Sequence, residues 1–303
     1  MEMPTDNFRA DKKIAGPPMT AAGFLSMVRE RLSAAGIEEA AAESWILLEW
    51  IFGLDRASYY MDPQFVLPEE KMKEAEEVLL KRERRVPLQY LMGICEFMGL
   101  TFHVDERVLI PRQDTECLVE LALSIMEHEK KEREPGRKPQ VLDLCTGSGC
   151  IGISIGKLFK GSEITLSDIS GDALSVAGMN AENLGVAVDQ VRSDLFDELG
   201  GSFDYILSNP PYIPSAVIDT LMPEVRDHEP RPALDGKEDG LAFYRRIVHE
   251  AKEHLYPGGW LLLEIGMDQG MSLLDLLEKE GYIQTGIKKD LAGLDRIAVG
   301  RKK

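Results

Sequence analysis

The segment SNPPY, Ser208 to Tyr212, follows the apolar run FDYIL and is stiff where most strand ends are loose. Proline fixes φ and removes a backbone donor. It also drives the preceding residue toward extended geometry. The Asn209 side-chain oxygen and the Pro210 carbonyl are therefore two acceptors with little freedom. A planar –NH2, in an amide or on a base, is a poor nucleophile because its lone pair is delocalised. It does donate two hydrogen bonds. Two rigid acceptors can grip both hydrogens and aim the nitrogen at an electrophilic methyl, an orientation effect worth about 7–11 kcal/mol. Acceptors gain further as positive charge grows on the nitrogen. Tyr212 can pack against the planar group.

A second constellation is DLCTGSGCIG, Asp143 to Gly152, with Gly147, Gly149 and Gly152 in the spacing G-x-G-x-x-G. Alone that match is weak, but a strand pattern precedes it and a helix pattern follows. Glycines let a backbone turn tightly and approach a ligand closely. Asp168 ends the next strand and suits ribose hydroxyls. Asp194 ends a third. A dinucleotide would place its pyrophosphate at the helix N-terminus. S-adenosylmethionine has no phosphate and suits carboxylates at successive strand ends: Asp143 near the methionine part, Asp168 at the ribose, Asp194 near the adenine amino group. Read blandly, each aspartate caps a turn; three together behind a glycine loop favour a nucleoside ligand.

These loops need a scaffold. From Val141 onward, strands (QVLDL, EITLSD, VRSDLF, FDYILSN, GGWLLLEIG, RIAVGRK) alternate with amphipathic helices. Such alternation predicts an α/β fold with a mainly parallel, doubly wound sheet that binds ligands beyond the strands' carboxyl ends. Before it, AAGFLSMVRERLSAAG, EEAAAESWILLEWIFG and PEEKMKEAEEVLLKRERR have helical periodicity, predicting a small bundle. VPLQYLMGICEFMGLTFHV, with Gly93 and Gly99 among aromatics, predicts a hairpin. The boundaries expected are a flexible leader over 1–18, a helical bundle over 19–85, a hairpin linker over 86–110 and the catalytic α/β domain over 111–303. KKEREPGRKPQ reads as an exposed loop.

Composition narrows the classes. The 303 residues carry a formal charge of −17, a poor match for phosphate backbones. Neither an 18-residue apolar run nor a secretory signal is evident, and the four cysteines lack CxxC spacing, so a reducing cytoplasm is expected. His103, His228, His249 and His254 lack metal-ligand spacing, and no metal is expected.

SNPPY with LDLCTGSG resembles the amino-methyltransferases that use S-adenosylmethionine. PLQYLMGICEFMGLTFHVDERVLIPRQDTECLVE, Pro87 to Glu120, with EPRPALDGKEDGLAFYRRI and PGGWLLLEIG, resembles the protein glutamine N5-methyltransferases of peptide chain release factors, the HemK or PrmC family. The resemblance implies a Rossmann-like, seven-stranded methyltransferase sheet and an N-terminal helical domain that helps hold the release factor. Its substrate would be the glutamine of a Gly-Gly-Gln loop. By motif, Cys145, Thr146, Gly147, Ser148 and Gly149 form the methionine-side loop and Asp168 the ribose ligand. Leu195 lies near the adenine, and Asn209, Pro210, Pro211 and Tyr212 form the glutamine grip. Two departures stand out: Gln113 replaces the proline of IPRPDTE, and Cys145 replaces a glycine of DLGTGSG.

Among smaller candidates, Phe97 can wall the glutamine pocket or sit in a core, and Arg112 can hold a carboxylate or form an ordinary ion pair. Glu264 can support the turn by hydrogen bonding. Trp45 and Trp50 read as core. A monomer is expected. The rivals are a DNA adenine methyltransferase, which should show basic clusters, a ribosomal-protein glutamine methyltransferase, a nicotinamide-dependent dehydrogenase, which leaves SNPPY without a role, and a bare binding module.

Overall fold

A computed structural model describes residues 18–130, 134 and 136–303. Most of the expected leader, and residues 131–133 and 135 of the expected charged loop, lie outside the described residues. The chain divides between Leu91 and Met92 into two compact units.

The first unit is helical: α1 (Ala21–Ala34), α2 (Ala40–Phe52), α3 (Arg56–Met61), α4 (Glu69–Glu83) and α5 (Leu88–Met92). Thr20 caps α1 by accepting from Gly23 N at 3.2 Å, and Gly53 ends α2 in a left-handed conformation, φ 71°. Phe24, Val28, Leu32, Leu47, Leu48 and Leu79 are fully buried. Arg82 is buried too, but its guanidinium meets both oxygens of Glu43 at 2.7 and 2.9 Å, which satisfies the charge. Trp45 is half-buried against Tyr59, with ring centroids 4.8 Å apart.

The second unit begins with the hairpin β1 (Ile94–Phe97) and β2 (Leu100–His103), followed by α6 (Gln113–Glu129). Alternation follows: β3 (Gln140–Leu144), α7 (Cys150–Leu158), β4 (Glu163–Asp168), α8 (Gly171–Leu184), β5 (Val188–Arg192) and β6 (Phe203–Ser208). After short helices α9 (Ser215–Ile218) and α10 (Pro223–His228) come α11 (Ala242–His254), β7 (Leu255–Glu264), α12 (Gly270–Lys279), β8 (Ile283–Lys289) and β9 (Asp295–Arg301). The sheet has seven strands in the order β5-β4-β3-β6-β7-β9-β8. The first five are parallel, and β9 runs antiparallel to β7 and β8.

Period-two alternation sorts the core. Val141, Tyr205, Leu207 and Leu262 pack on one face with residues of α6, α7 and α8. Leu142, Ile206, Leu261 and Leu263 pack on the other with α11 and α12. The hairpin is part of this unit's core, since Phe97 and Phe102 are buried beside Leu118 and Ala122.

Two details differ from expectation. The third strand ends at Arg192, so Asp194 lies in the turn beyond it rather than in a strand VRSDLF. β8 had no counterpart in the periodic reading. It is an edge strand, largely exposed, whose pairing with β9 shifts register between Ile283 and Gly286 and again between Lys288 and Lys289.

Candidate functional site

The chain runs outward from β3 through β4 to β5, then returns to the centre with β6. Where strand order reverses, the loops after β3 and β6 part, which makes a crevice at the sheet's carboxyl edge. A cavity of about 480 Å³ occupies it, within the usual 300–1,000 Å³ of small-molecule sites. Cys145, Thr146, Gly147 and Ser148 line it from the loop after β3. Asp168, Asp194 and Leu195 line it from neighbouring strand ends, and Asn209 and Pro211 from the turn after β6.

The glycine loop alternates in hand: Cys145, Gly147 and Gly149 have φ of 60°, 54° and 82°. A side chain there is strained by about 1–2 kcal/mol, which accounts for the glycine that the resembling pattern carries at the position of Cys145. Gly152 is needed for another reason. A Cβ on it would lie 2.5 Å from Leu166 Cδ2 and 2.9 Å from Asp143 Cβ, so glycine lets α7 close on β3 and β4.

Asp143 does not line the cavity as expected. It is fully buried beneath the loop, where Oδ2 accepts from Thr146 Oγ1 at 2.6 Å and Gly152 N at 2.9 Å. Burial pushes its carboxyl up to about 7, against the pull of those two donors. Its role in the fold is to brace the loop. Asp168 reaches the cavity, with Oδ2 accepting from Gly147 N and Oδ1 from Ser170 N, both at 2.9 Å. Burial raises its pKa while these backbone donors oppose the rise. Asp194 is half-exposed and paired with Arg246 at 2.8 Å. Leu195 is buried with φ 51°. Gly149 caps α7 and stands behind the lining.

The Asn-Pro-Pro-Tyr turn is held from several sides. Asn209 Nδ2 donates to Thr115 Oγ1 at 3.3 Å, which leaves the side-chain oxygen as its open end. The Tyr212 carbonyl accepts from Gln269 Nε2 at 3.0 Å. Ile213 exchanges backbone hydrogen bonds with Leu234 and Gly236. A Cβ on Gly236 would come within 2.7 Å of the Tyr212 backbone, and one on Gly240 within 2.3 Å of its carbonyl oxygen. Only bare backbone can embrace the turn this closely. Among the described residues no hydrogen bond occupies the Pro210 carbonyl.

Three placements depart from expectation. The Tyr212 side chain does not line the cavity; its hydroxyl faces Glu264 Oε1 at 3.4 Å. The Pro210 ring is buried behind the lining formed by Asn209 and Pro211. Phe97 does not wall the cavity at all: it is buried edge-to-face on Phe102, because the hairpin's inner face turns into the core. Arg112 forms an ion pair, its Nη2 lying 2.6 Å from both oxygens of the buried Glu229. Gln113 occupies the first position of α6, where proline is favoured but not required.

Sequence reasoning missed Thr115, Gln269 and Asn180. Asn180 accepts from His103 N at 2.7 Å and donates to the carbonyls of His103 and Ser148 at 3.0 and 2.9 Å. It ties the hairpin to the glycine loop. These residues lie 57 to 94 positions from their partners on the turn, or 32 to 77 for Asn180. Local pattern carries no signal over such separations, except that Thr115 falls inside the IPRQDTE motif.

The arrangement discriminates between ligands. Gly147 N and Gly152 N, donors that would face a pyrophosphate at the head of α7, are already given to Asp168 and Asp143. The Asp168 carboxyl in the cavity, holding the Gly147 amide, disfavours a phosphate there. Carboxylates among apolar Ile169, Ala173 and Phe243 fit a nucleoside with hydroxyl and amine donors.

Comparisons agree with this geometry. Residues 24–93 match the PrmC N-terminal domain and residues 121–222 the methyltransferase small domain. The chain is 41% identical over 278 residues to the release factor glutamine methyltransferase of Geobacter sulfurreducens, covering 91% of this chain and 95% of that protein. It is 33% identical to the one from Agrobacterium fabrum, covering 95% and 99%. A solved structure, the hMettl16 catalytic domain in complex with MAT2A 3′UTR hairpin 1, superposes with a TM-score of 0.52 at 16% identity, covering 90% of this chain and 91% of that one. That likeness concerns the fold.

Proposed function

This chain belongs to the release factor glutamine methyltransferase family, and on that premise we propose that it transfers a methyl group from S-adenosylmethionine to the side-chain amide nitrogen of the glutamine in the Gly-Gly-Gln motif of peptide chain release factors. The observation that carries the reading is the meeting, in one crevice, of an adenosine-type loop with an Asn209 whose amide nitrogen is already engaged. Bound S-adenosylmethionine supplies an electrophilic methyl on a sulfonium. Cys145 to Ser148 would hold the methionine portion, with Asp143 bracing them. Asp168 would accept from the ribose hydroxyls, and Asp194 and Leu195 would flank the adenine.

The Asn209 side-chain oxygen and the Pro210 carbonyl would take the two amide hydrogens, and Pro211 would wall the planar group. Both acceptors carry negative partial charge, so they would stabilise the positive charge that grows on nitrogen as the C–N bond forms and the sulfonium–methyl bond breaks; S-adenosylhomocysteine is the leaving group, and the methylated nitrogen then loses one proton to solvent. Tyr212 acts from behind the turn through Glu264. The chain's charge of −17 and the ion-paired cavity cations disfavour a polyanionic substrate.

The test is mass spectrometry of purified release factor after incubation with the protein and S-adenosylmethionine. A gain of one methyl on that glutamine is expected. Asn209→Ala should lower kcat by about 10²–10³-fold, the cost of removing one preorganised polar partner, while cofactor binding stays near wild type. An unmodified release factor, or an Asn209→Ala enzyme of normal rate, refutes the proposal.

A further inference from the structure

We propose that Arg112 donates to main-chain carbonyls of the peptide loop that carries the target glutamine, so that the crevice reads backbone beside the side chain it methylates. This role rests on the substrate proposed above. A peptide segment entering a crevice strips water from its own carbonyls, and each one left without a donor is costly. The walls around Asn209 are poor in donors. Pro211 in the turn, Pro111 before α6 and Pro230 after α10 all line the cavity, and proline has no N–H to give.

Arg112 stands among these prolines and lines the same cavity. It occupies the N-cap position of α6, where its carbonyl accepts from Thr115 N at 3.1 Å. Thr115 in turn meets Asn209 Nδ2 at 3.3 Å, which ties Arg112 to the end of the cavity that holds the grip. The guanidinium is used at one corner only. Nη2 lies 2.6 Å from both Glu229 oxygens, while among the described residues Nε and Nη1 have no hydrogen bond. The Arg112 side chain is 39% exposed and that of Glu229 1%. The buried carboxylate therefore anchors the head, and the remaining N–H groups stay open to a ligand.

Charge selects that ligand. Glu229 already balances the guanidinium, so a second carboxylate would be repelled where an uncharged carbonyl is not. Glycines beside the glutamine, having no Cβ, let their main chain approach such a donor closely. The other cavity cations are placed elsewhere. Arg107 is held by both oxygens of Asp105, and Arg246 by Asp194 and Glu250. Lys237 stands over the Phe243 ring, 5.9 Å from its centroid, beside Asp235.

The experiment compares wild type, Arg112→Lys and Glu229→Gln in the full chain, measuring KM for release factor, kcat, the S-adenosylmethionine dissociation constant and the melting temperature. Lysine keeps a cation for Glu229 and loses the planar fork. Glutamine keeps an acceptor for Nη2 and leaves the rest of Arg112 intact. The expected result is a KM about tenfold higher in Arg112→Lys, the scale of one hydrogen bond to a charged group, and a smaller rise in Glu229→Gln. Loss of a contact made equally in ground and transition states leaves kcat near wild type. The cofactor constant should stay within about twofold. A KM that rises equally in both variants, in step with equal losses of melting temperature, makes the ion pair a structural clasp and overturns the proposal. A weaker cofactor constant with unchanged KM assigns Arg112 to the methionine carboxylate and overturns it too. If Arg112→Lys fails to fold, the double exchange Arg112→Gln with Glu229→Gln leaves no buried charge and must show the same rise in KM. Wild-type KM in the variants beside a methylated release factor refutes the backbone contact alone. A release factor left unmodified by wild type removes the substrate reading, and the contact with it.

Discussion

Gly240→Ala tests whether catalysis depends on where the loop embracing the turn sets its backbone. The new Cβ would stand 2.3 Å from the Tyr212 carbonyl oxygen and 2.7 Å from Gln269 Nε2. A carbon and a carbonyl oxygen settle at about 3.3 Å, so something must retreat by about 1 Å. Gln269 is pinned through its own hydrogen bonds to Gly266 N and to the Tyr212 carbonyl. The turn is thus the part that yields. Displacements near 1 Å at a reacting centre cost about 10²-fold in rate, and kcat should fall on that scale. Stability should fall too. Alanine at φ 73° is strained by about 1–2 kcal/mol, and overpacking adds about 1–3 kcal/mol. For a unit of this size that lowers the melting temperature by about 4–20 °C. Gly240 does not touch the glycine loop, so the S-adenosylmethionine dissociation constant should stay within about twofold. The assays are methyl transfer to release factor under saturating cofactor, calorimetric titration and thermal melting. A folded Gly240→Ala enzyme with wild-type kcat would show that the turn's placement does not limit the reaction.

Asp168→Ala removes the acceptor for two backbone donors and the candidate ribose ligand together. Each hydrogen bond to a charged group is worth about 1.5–3 kcal/mol, so cofactor affinity should drop by about 10²-fold or more; calorimetric titration showing an unchanged constant would place the ribose elsewhere. Glu264 makes a statement about pH. Burial raises its carboxyl from the ordinary 4.5 to about 7, so between those two values the folded protein keeps it largely neutral while the unfolded chain ionises it. The stability it contributes is complete below 4.5 and is lost as pH rises through about 7. The melting temperature of wild type minus that of Glu264→Gln should therefore decline across that window and level off above it. A flat difference would count against the raised ionisation.

Much of the architecture was readable because its signals are short-range. QVLDL, EITLSD and FDYILSN announce themselves by apolar runs with an aspartate or asparagine at or next to the end, and the observed strands β3, β4 and β6 agree to within a residue. The glycine loop was legible for the same reason, as three glycines and a strand end within ten positions. Ile283–Lys289 was not, because an edge strand with polar residues on both faces lacks periodicity. Side-chain direction was the other blind spot. Asp143 and Phe97 were placed near the right elements, yet one turned under the loop and the other into the core. Strand parity and tertiary packing decide that, not residue type. Gln269 and Asn180 act on the site only after the sheet has closed.

The irregular outer strand β8 also governs what the molecule does in a crowded solution. A sheet margin offers unpaired amides and carbonyls to any passing extended chain. Here two register slips break the rhythm of those groups, Gln284 departs into a positive φ, and the exposed Lys288 projects charge beside them. A foreign strand would find neither a straight template nor an uncharged one, so the seven-stranded sheet stops at seven.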